Sequence, residues 1–399
     1  MKTNPAQPTD PQMDHACPIC ASRAKPVDIP QHLLEEFEAG NVALFAGAGI
    51  STENRSVLRF ALGEEVGAKI GKDAKTVAFP DLMEEFTRRP NGRFELISLI
   101  KKRFDYIFSH PEIHNEAIKF HEELATIFEL NTIVTTNWDT NFEDICHATP
   151  FVHPEDVAFW EVATRRVLKI HGTILNYGSI VATRTDYERA ARDLRENMIG
   201  SLLKLLMATK TVLYCGYSLR DDDFLAVHSF VHSQMKELRK TAYIVTPDID
   251  DAKMTRYKNL GLTPILGDGT HFLEEVKAHL IKKGLMRPDA IYEAAALLLE
   301  AVREAHIALY DEFDMFKYPQ IILAACYQDG LMDGLRRAMR LKRTGLYSHP
   351  LKTVLTGHQY EDWKSQKARA KRYDDVAYIE GYQNALSYLE IAAAESDNM

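Results

Sequence analysis

Short apolar runs, set apart by longer stretches of helical periodicity, fill the first two thirds of the chain. Val42 to Phe45, Thr132–Thr135, Val167–Ile170, Thr211–Cys215, Ala242–Val245 and Pro264–Leu266 are brief and mostly β-branched, aromatic or aliphatic. They are bounded by glycine or polar residues, which predicts strands buried on both faces. Between them, apolar residues recur three and four positions apart. This spacing predicts helices over Pro30–Ala39, Asp81–Arg89, Phe94–Ser109, Ile113–Phe128, Thr140–Cys146, Asp186–Ala208, Asp221–Arg239, Ile249–Asn259 and His271–Lys283, with a further charged helical stretch after Ser51. Strands alternating with helices imply an α/β fold, a doubly wound parallel Rossmann-like sheet. Beyond Gly284 the strand signals stop, and Pro288–Tyr310, Pro319–Arg343 and Asp374–Ala393 read as helices. The expected organisation is therefore a disordered, proline-rich tail over residues 1–26, an α/β domain over 27–284 and an α-helical C-terminal region over 285–399.

Open parallel sheets bind ligands outside the carboxyl ends of their strands. The polar and glycine-rich residues of this chain gather at those ends: Gly47–Ser51, Thr136 to Asp139, His171-Gly172 and Gly216–Ser218. At Gly47-Ala48-Gly49 the backbone must bend sharply and can approach a ligand that a Cβ would obstruct. A helix beginning near Ile50 would aim free N–H groups at an anion such as a pyrophosphate. The third glycine of the dinucleotide fingerprint is missing, and a tight strand-to-helix turn without a ligand is the competing reading.

Charge and cysteine usage narrow the field. A net charge of -9 argues against nucleic acid as the main partner, because neutralising phosphates takes a basic surface. No apolar run approaches the roughly 20 residues of a membrane span, and the polar start MKTNPAQPTDPQMDHA lacks the apolar core of a secretory signal. Five cysteines, an odd and sparse set, fit a reducing cytoplasm better than a disulfide scaffold. Cys17 and Cys20 make half a zinc site to which His15 could add a ligand. Structural zinc takes four ligands, and no second Cys-x-x-Cys follows, so free thiols on a tail are the alternative and no metal is expected.

The four strand-end motifs, taken in order, resemble those of the sirtuin family over roughly residues 40 to 280. GAGIS at Gly47–Ser51 is similar to that family's phosphate-binding turn, and TTNWD at Thr135–Asp139 to its T-Q-N-I-D motif. His171-Gly172 is similar to its catalytic H-G, and GYS at Gly216–Ser218 to its G-T-S. The resemblance implies NAD as the ligand. It also implies that Asn137 holds the nicotinamide ribose and positions water, that Asp139 sits in the nicotinamide pocket and that His171 is the base. Gly47, Ala48, Gly49, Ser51, Thr136, Gly216 and Ser218 would contribute the remaining contacts, Ser51 and Ser218 to phosphate or the adenosine ribose. These roles suit the chemistry of cleaving nicotinamide from ribose, which passes through an oxocarbenium-like state and releases a neutral leaving group. A base and a polar group that fixes the ribose are what such a reaction needs, and histidine titrates near neutrality. The bland alternatives are a hydrogen-bonded core histidine and a helix N-cap formed by Asn137 or Asp139.

Departures from the family are equally informative. Sirtuin deacetylases carry a four-cysteine zinc module between H-G and G-T-S, whereas here 44 residues separate His171 from Gly216 and include a single cysteine, Cys215. The G-I-P-D-F-R segment is also replaced, by NRSVLRF, which leaves Arg55, Arg59 and Phe60 as candidates to cover the nicotinamide. Trp138 and Tyr217 replace an isoleucine and a threonine and would reshape the pocket. A sirtuin-like core without zinc and with an added helical region resembles the NAD-hydrolysing effectors of prokaryotic anti-phage defence. That resemblance implies an NAD glycohydrolase with no cofactor beyond its substrate, activated by infection, acting as a homo-oligomer and in some cases with a HerA-type ATPase. The rival functions are a sensing module that binds NAD or ADP-ribose without turnover and, behind it, a deacylase.

Two further clusters draw attention. His228 and His232 lie four apart near Asp221–Asp223, a spacing that can bind metal but more often caps or faces solvent. The basic residues Arg336, Arg337, Arg340, Lys342 and Arg343, then Lys364 through Arg372, could meet a partner, although solvated helix faces look the same.

Overall fold

Strand β1 (Val42–Ala46) is buried along its whole length at the centre of a seven-stranded sheet. The others are β2 (Thr132–Thr135), β3 (Thr149–Phe151), β4 (Arg166–Lys169), β5 (Thr211–Cys215), β6 (Ala242–Thr246) and β7 (Leu262–Leu266). Their order is β3-β4-β2-β1-β5-β6-β7, and every pairing is parallel. The computed structural model describes residues 26–217, 222–286, 288–339 and 357–396. The expected N-terminal tail, with His15, Cys17 and Cys20, lies outside the described residues apart from Pro26.

Helices flank the sheet: α1 (Gln31–Glu38), α2 (Leu62–Ile70), α3 (Phe79–Thr87), α4 (Gly92–Ser109), α5 (Pro111–Ala125), α6 (Asn141–Asp144), α7 (Arg184–Glu196), α8 (Met198–Thr209), α9 (Asp222–Met235), α10 (Asp251–Asn259) and α11 (Gly269–Lys282). Alternate strand residues point to opposite faces. Phe45, Val134, Leu168, Tyr214 and Ile244 share one core cluster with Leu203, Leu206 and Val231 of the helices. A second cluster joins α2, α3 and α4 to Ile180 and Ala182, with Trp138 packed against it. The α2–α5 segment is thus a helical insertion between β1 and β2.

Two elements differ from expectation for local reasons. The predicted helix Asp186–Ala208 is two helices, because Asn197 takes an extended conformation and its side chain accepts the Gly200 N–H as the cap of α8. β3 escapes the hydrophobic pattern because it is three residues long, contains Pro150 and lies at the sheet edge, where proline is tolerated.

The chain divides into two compact units between His279 and Leu280. The second contains α12 (Asp289–Glu312), α13 (Ile321–Ala338), α14 (Gly357–Arg369) and α15 (Tyr373–Ser396). Ile291, Ala295, Leu335, Met339 and Ala385 form one of its cores, and Tyr360, Ile379 and Tyr382 another. Several of its basic residues are ion-paired locally: Arg336 with Asp333, Lys364 with Glu361 and Lys367 with Asp375. Arg340, Lys342 and Arg343 lie outside the described residues. Among the described residues no helix is long and apolar enough to cross a membrane.

Candidate active site

The four motifs follow four adjacent strands. Ala46, Thr135, Lys169 and Cys215 are mutually in register across β4-β2-β1-β5, so Gly47, Thr136, His171 and Gly216 emerge at one edge of the sheet. The strand order reverses between β1 and β5, which is where open α/β sheets bind ligands. A cavity of about 830 Å³ opens there, between the strand ends and the helical insertion, a size suited to a dinucleotide or similar ligand. Ala48, Gly49, Thr136, Asn137, His171 and Gly216 all line it.

Gly47, Ser51 and Asp139 lie behind that lining. Ser51 Oγ donates to Asp139 Oδ2 at 3.1 Å, and Asn137 Nδ2 reaches Ser51 Oγ and the Gly47 carbonyl, both at 3.4 Å. Ser51 and Asp139, expected from the motif to contact the ligand, are here joined in a buried polar chain with Asn137. Asp139 Oδ1 also accepts the Asn141 N–H at the start of α6, while the N-cap position itself is occupied by Thr140 and not by Asn137 or Asp139. Asn137 Oδ1 is buried and finds no hydrogen-bond partner among the described residues. A buried acceptor left unmatched is costly, and this one belongs to a cavity-lining side chain. Ser218 lies outside the described residues.

The glycine turn is built differently from expectation. After β1 comes a single 3-10 turn, Ala48–Ile50, and no α-helix forms until Leu62. The Gly47 N–H donates to the Cys215 carbonyl, Gly49 N–H to Gly216, Ile50 N–H to Gly47 and Ser51 N–H to Ala48. These amides are consumed within the protein, so no helix N-terminus stands ready for an anion. A Cβ on Gly47 would lie 2.5 Å from the Gly216 carbonyl oxygen, and one on Gly216, at φ +60°, 2.5 Å from Ile50 N. The glycines therefore permit two neighbouring strand ends to interlock.

His171 is 2% exposed, and its ring packs edge-on against Tyr187 of α7, with centroids 5.0 Å apart. Gly172, at φ +84°, turns the chain away so tightly that a Cβ would lie 2.1 Å from the Ser179 carbonyl oxygen. Tyr187 was not legible as a site residue, because only the fold brings α7 over the end of β4. Glu53 and Arg103 also line the cavity unannounced. Burial raises the Glu53 carboxyl pKa, against the opposing charge of Arg103. Of the three candidates to cover the nicotinamide, Arg55 lines the cavity while its guanidinium grips Glu64 at 2.8 Å. Arg59 and Phe60 are exposed and outside the lining, because the segment turns outward before α2. Trp138 and Tyr217 do line the cavity, as their positions in the motifs suggested.

His228 is engaged on both ring nitrogens, with Tyr214 Oη at 3.1 Å and the Leu260 carbonyl at 2.9 Å. No cluster of metal-ligating side chains occurs among the described residues. Cys215 is fully buried at the end of β5, and burial pushes its thiol pKa up, so the zinc ligands of a sirtuin deacetylase have no counterpart between His171 and Tyr217.

A parallel α/β sheet with Asn137 and His171 at adjacent strand ends over one cavity is the arrangement that the sirtuin-like motifs implied. Residues 131–265 match the model of the SIR2-like domain family. It is 28% identical over 222 residues to the NAD(+) hydrolase ThsA of Enterococcus faecium, covering 53% of this chain and 44% of that protein. It is 22% identical over 253 residues to Defense-associated sirtuin 2 of Bacillus subtilis, covering 59% of this chain and 24% of that protein. Each match thus spans less than half of the relative's length.

Proposed function

We propose that this chain hydrolyses NAD to nicotinamide and ADP-ribose and serves as a triggered, NAD-depleting effector of anti-phage defence. The observation that carries this reading is the convergence of His171 and Asn137 on one cavity at the switch point of the sheet. The names of the two relatives, one an NAD(+) hydrolase and one a defence-associated sirtuin, support the same choice. In this reading the C1′–N bond breaks with its electron pair passing to the nicotinamide nitrogen, which leaves neutral. Water then adds to the oxocarbenium carbon and releases a proton. Asn137 orients the ribose or the water, and His171 accepts the proton from a ribose hydroxyl or from that water. NAD is the substrate and no further cofactor takes part. Homo-oligomerisation and a HerA-type partner belong to the same proposal.

The test measures free nicotinamide and NAD in cells expressing the chain, before and during phage infection, alongside His171→Ala and Asn137→Ala. Wild type should deplete NAD in at least one state, and both variants should abolish the loss while melting like wild type. Equal NAD levels in all three would overturn the reading. Tight NAD binding without nicotinamide release would instead favour the sensing module.

A further inference from the structure

The buried cation at the end of β4 has no part in the chemistry described so far. Lys169 precedes His171 by two residues, and its side chain is fully buried. Its Nζ donates to the Asp139 carbonyl and lies 2.9 Å from Glu143 Oε1. Taking an ammonium and a carboxylate out of water costs several kcal/mol per ion, and an apolar side chain of similar length fills such a site as well or better. The charge therefore asks for an explanation beyond stability.

What the ammonium holds supplies one. Residues 136–140 form irregular chain between β2 and α6, and they carry Asn137 into the cavity. Among the hydrogen bonds that fix that segment, three engage its backbone from β2, from residue 174 and from β4: Asn137 N–H to Thr135 Oγ1 at 3.0 Å, Ile174 N–H to the Trp138 carbonyl at 2.8 Å, and Lys169 Nζ to the Asp139 carbonyl. From Asp139 the polar chain continues through Ser51 to the Asn137 amide. That amide ends on Oδ1, the buried acceptor left without a partner. We propose that Lys169 is a positioning residue, fixing the Asp139 backbone so that the Asn137 carboxamide presents its unmatched oxygen to the reacting ribose or water. The inference rests on the NAD-hydrolase reading. Neutralising position 169 releases the Asp139 carbonyl, and displacements of about 1 Å in a positioning group cost up to about 100-fold in rate. Substrate binding, spread over the rest of the cavity, is largely spared.

The experiment compares steady-state nicotinamide release by full-length wild type, Lys169→Met and Glu143→Gln, under the condition in which wild type is active, with melting curves on the same samples. Glu143→Gln removes the ion pair but leaves Lys169 on the Asp139 carbonyl, so it should lower the melting temperature while kcat stays within about threefold. Lys169→Met should lower kcat by about 10- to 100-fold with KM within about threefold, a split that a general loss of folded protein does not produce. If Lys169→Met fails to fold, Lys169→Met/Glu143→Leu, which leaves no unpaired charge, takes its place with the same expected kcat. A folded variant without Lys169 that keeps wild-type kcat overturns the proposal, as does a Glu143→Gln variant that loses kcat as severely. No nicotinamide release by wild type in any state overturns the hydrolase reading itself, and this inference with it.

Discussion

Gly47 and Gly216 meet backbone to backbone at the reversal point of the sheet, so that a methyl group on Gly47 would sit 2.5 Å from the Gly216 carbonyl oxygen and 2.8 Å from Tyr217 Cα. Neither atom can swing away as a flexible side chain would, so β1 and β5 must part or the turn must open. Gly47→Ala should therefore cost about 2–4 kcal/mol, at the upper end of overpacking, and abolish nicotinamide release. Gly71→Ala is the control: its φ of +68° strains alanine, but nothing lies within 4 Å. It should cost about 1 kcal/mol and leave activity intact. Urea melts of both variants check the difference; because Gly47 is in ordinary extended backbone, at φ -108°, a loss no larger than that of Gly71→Ala would count against the interlock.

Arg103 holds the helical insertion over the cavity. Its guanidinium reaches Glu53 at 2.9 Å, Glu65 at 3.1 Å and the Phe60 carbonyl at 3.0 Å while only 11% exposed. Arg103→Met leaves Glu53, whose carboxyl burial already disfavours ionisation, without the cation it touches. The expected loss is about 2–4 kcal/mol, with a raised KM for NAD because both residues line the cavity. Adding Glu53→Gln should recover part of the stability without restoring KM, since the two sites share one interaction. Additive losses in the double variant would count against the clamp.

The sheet was largely legible from the chain because its strands are buried on both faces and so appear as plain apolar runs. Val42 to Phe45 and Thr211–Cys215 needed no partner to be recognised. The site was legible as far as a strand end announces it, which brought Asn137 and His171 forward together. What the sequence could not carry was side-chain direction. That Ser51 and Asp139 hydrogen-bond each other next to Asn137 could not be read from motifs 88 residues apart. The expected helix after Gly49 failed for a related reason: Gly216 accepts the Gly49 amide, a partner from 167 residues further along the chain that no local pattern foretells. Glu53, Arg103 and Tyr187 come from surface-like charged stretches that only the folded insertion and α7 bring over the cavity.

Acid should weaken this fold through His121. The imidazole is fully buried in α5, edge-on to Phe142 at 4.6 Å, and its ring nitrogens make no well-formed hydrogen bond among the described residues, with only a weak approach to the Ala117 carbonyl one turn earlier in the helix. Burial lowers its pKa from 6.5 to about 4; the Asp139 charge opposes the shift and Lys169 reinforces it. The unfolded chain therefore binds a proton that the folded chain refuses between those values. The stability His121 permits is complete above pH 6.5 and is lost progressively as pH falls toward 4. The loss is about 2 kcal/mol at pH 5 and about 3 kcal/mol near pH 4. Asp186 acts in a lower window. Burial raises its pKa, but hydrogen bonds from the Thr183 and Ala182 amides and the charge of Arg93 outweigh that, so its contribution fades only below its ordinary 3.8. His228 and His232, also lowered mainly by burial, add the same acid sensitivity to wild type and variant, so a paired comparison cancels them. His121→Leu should thus match or exceed wild-type stability at pH 8 and gain about 2 kcal/mol over it at pH 5. Chemical denaturation at the two pH values decides the matter. An unchanged gap between the proteins would mean that His121 does not carry the acid sensitivity.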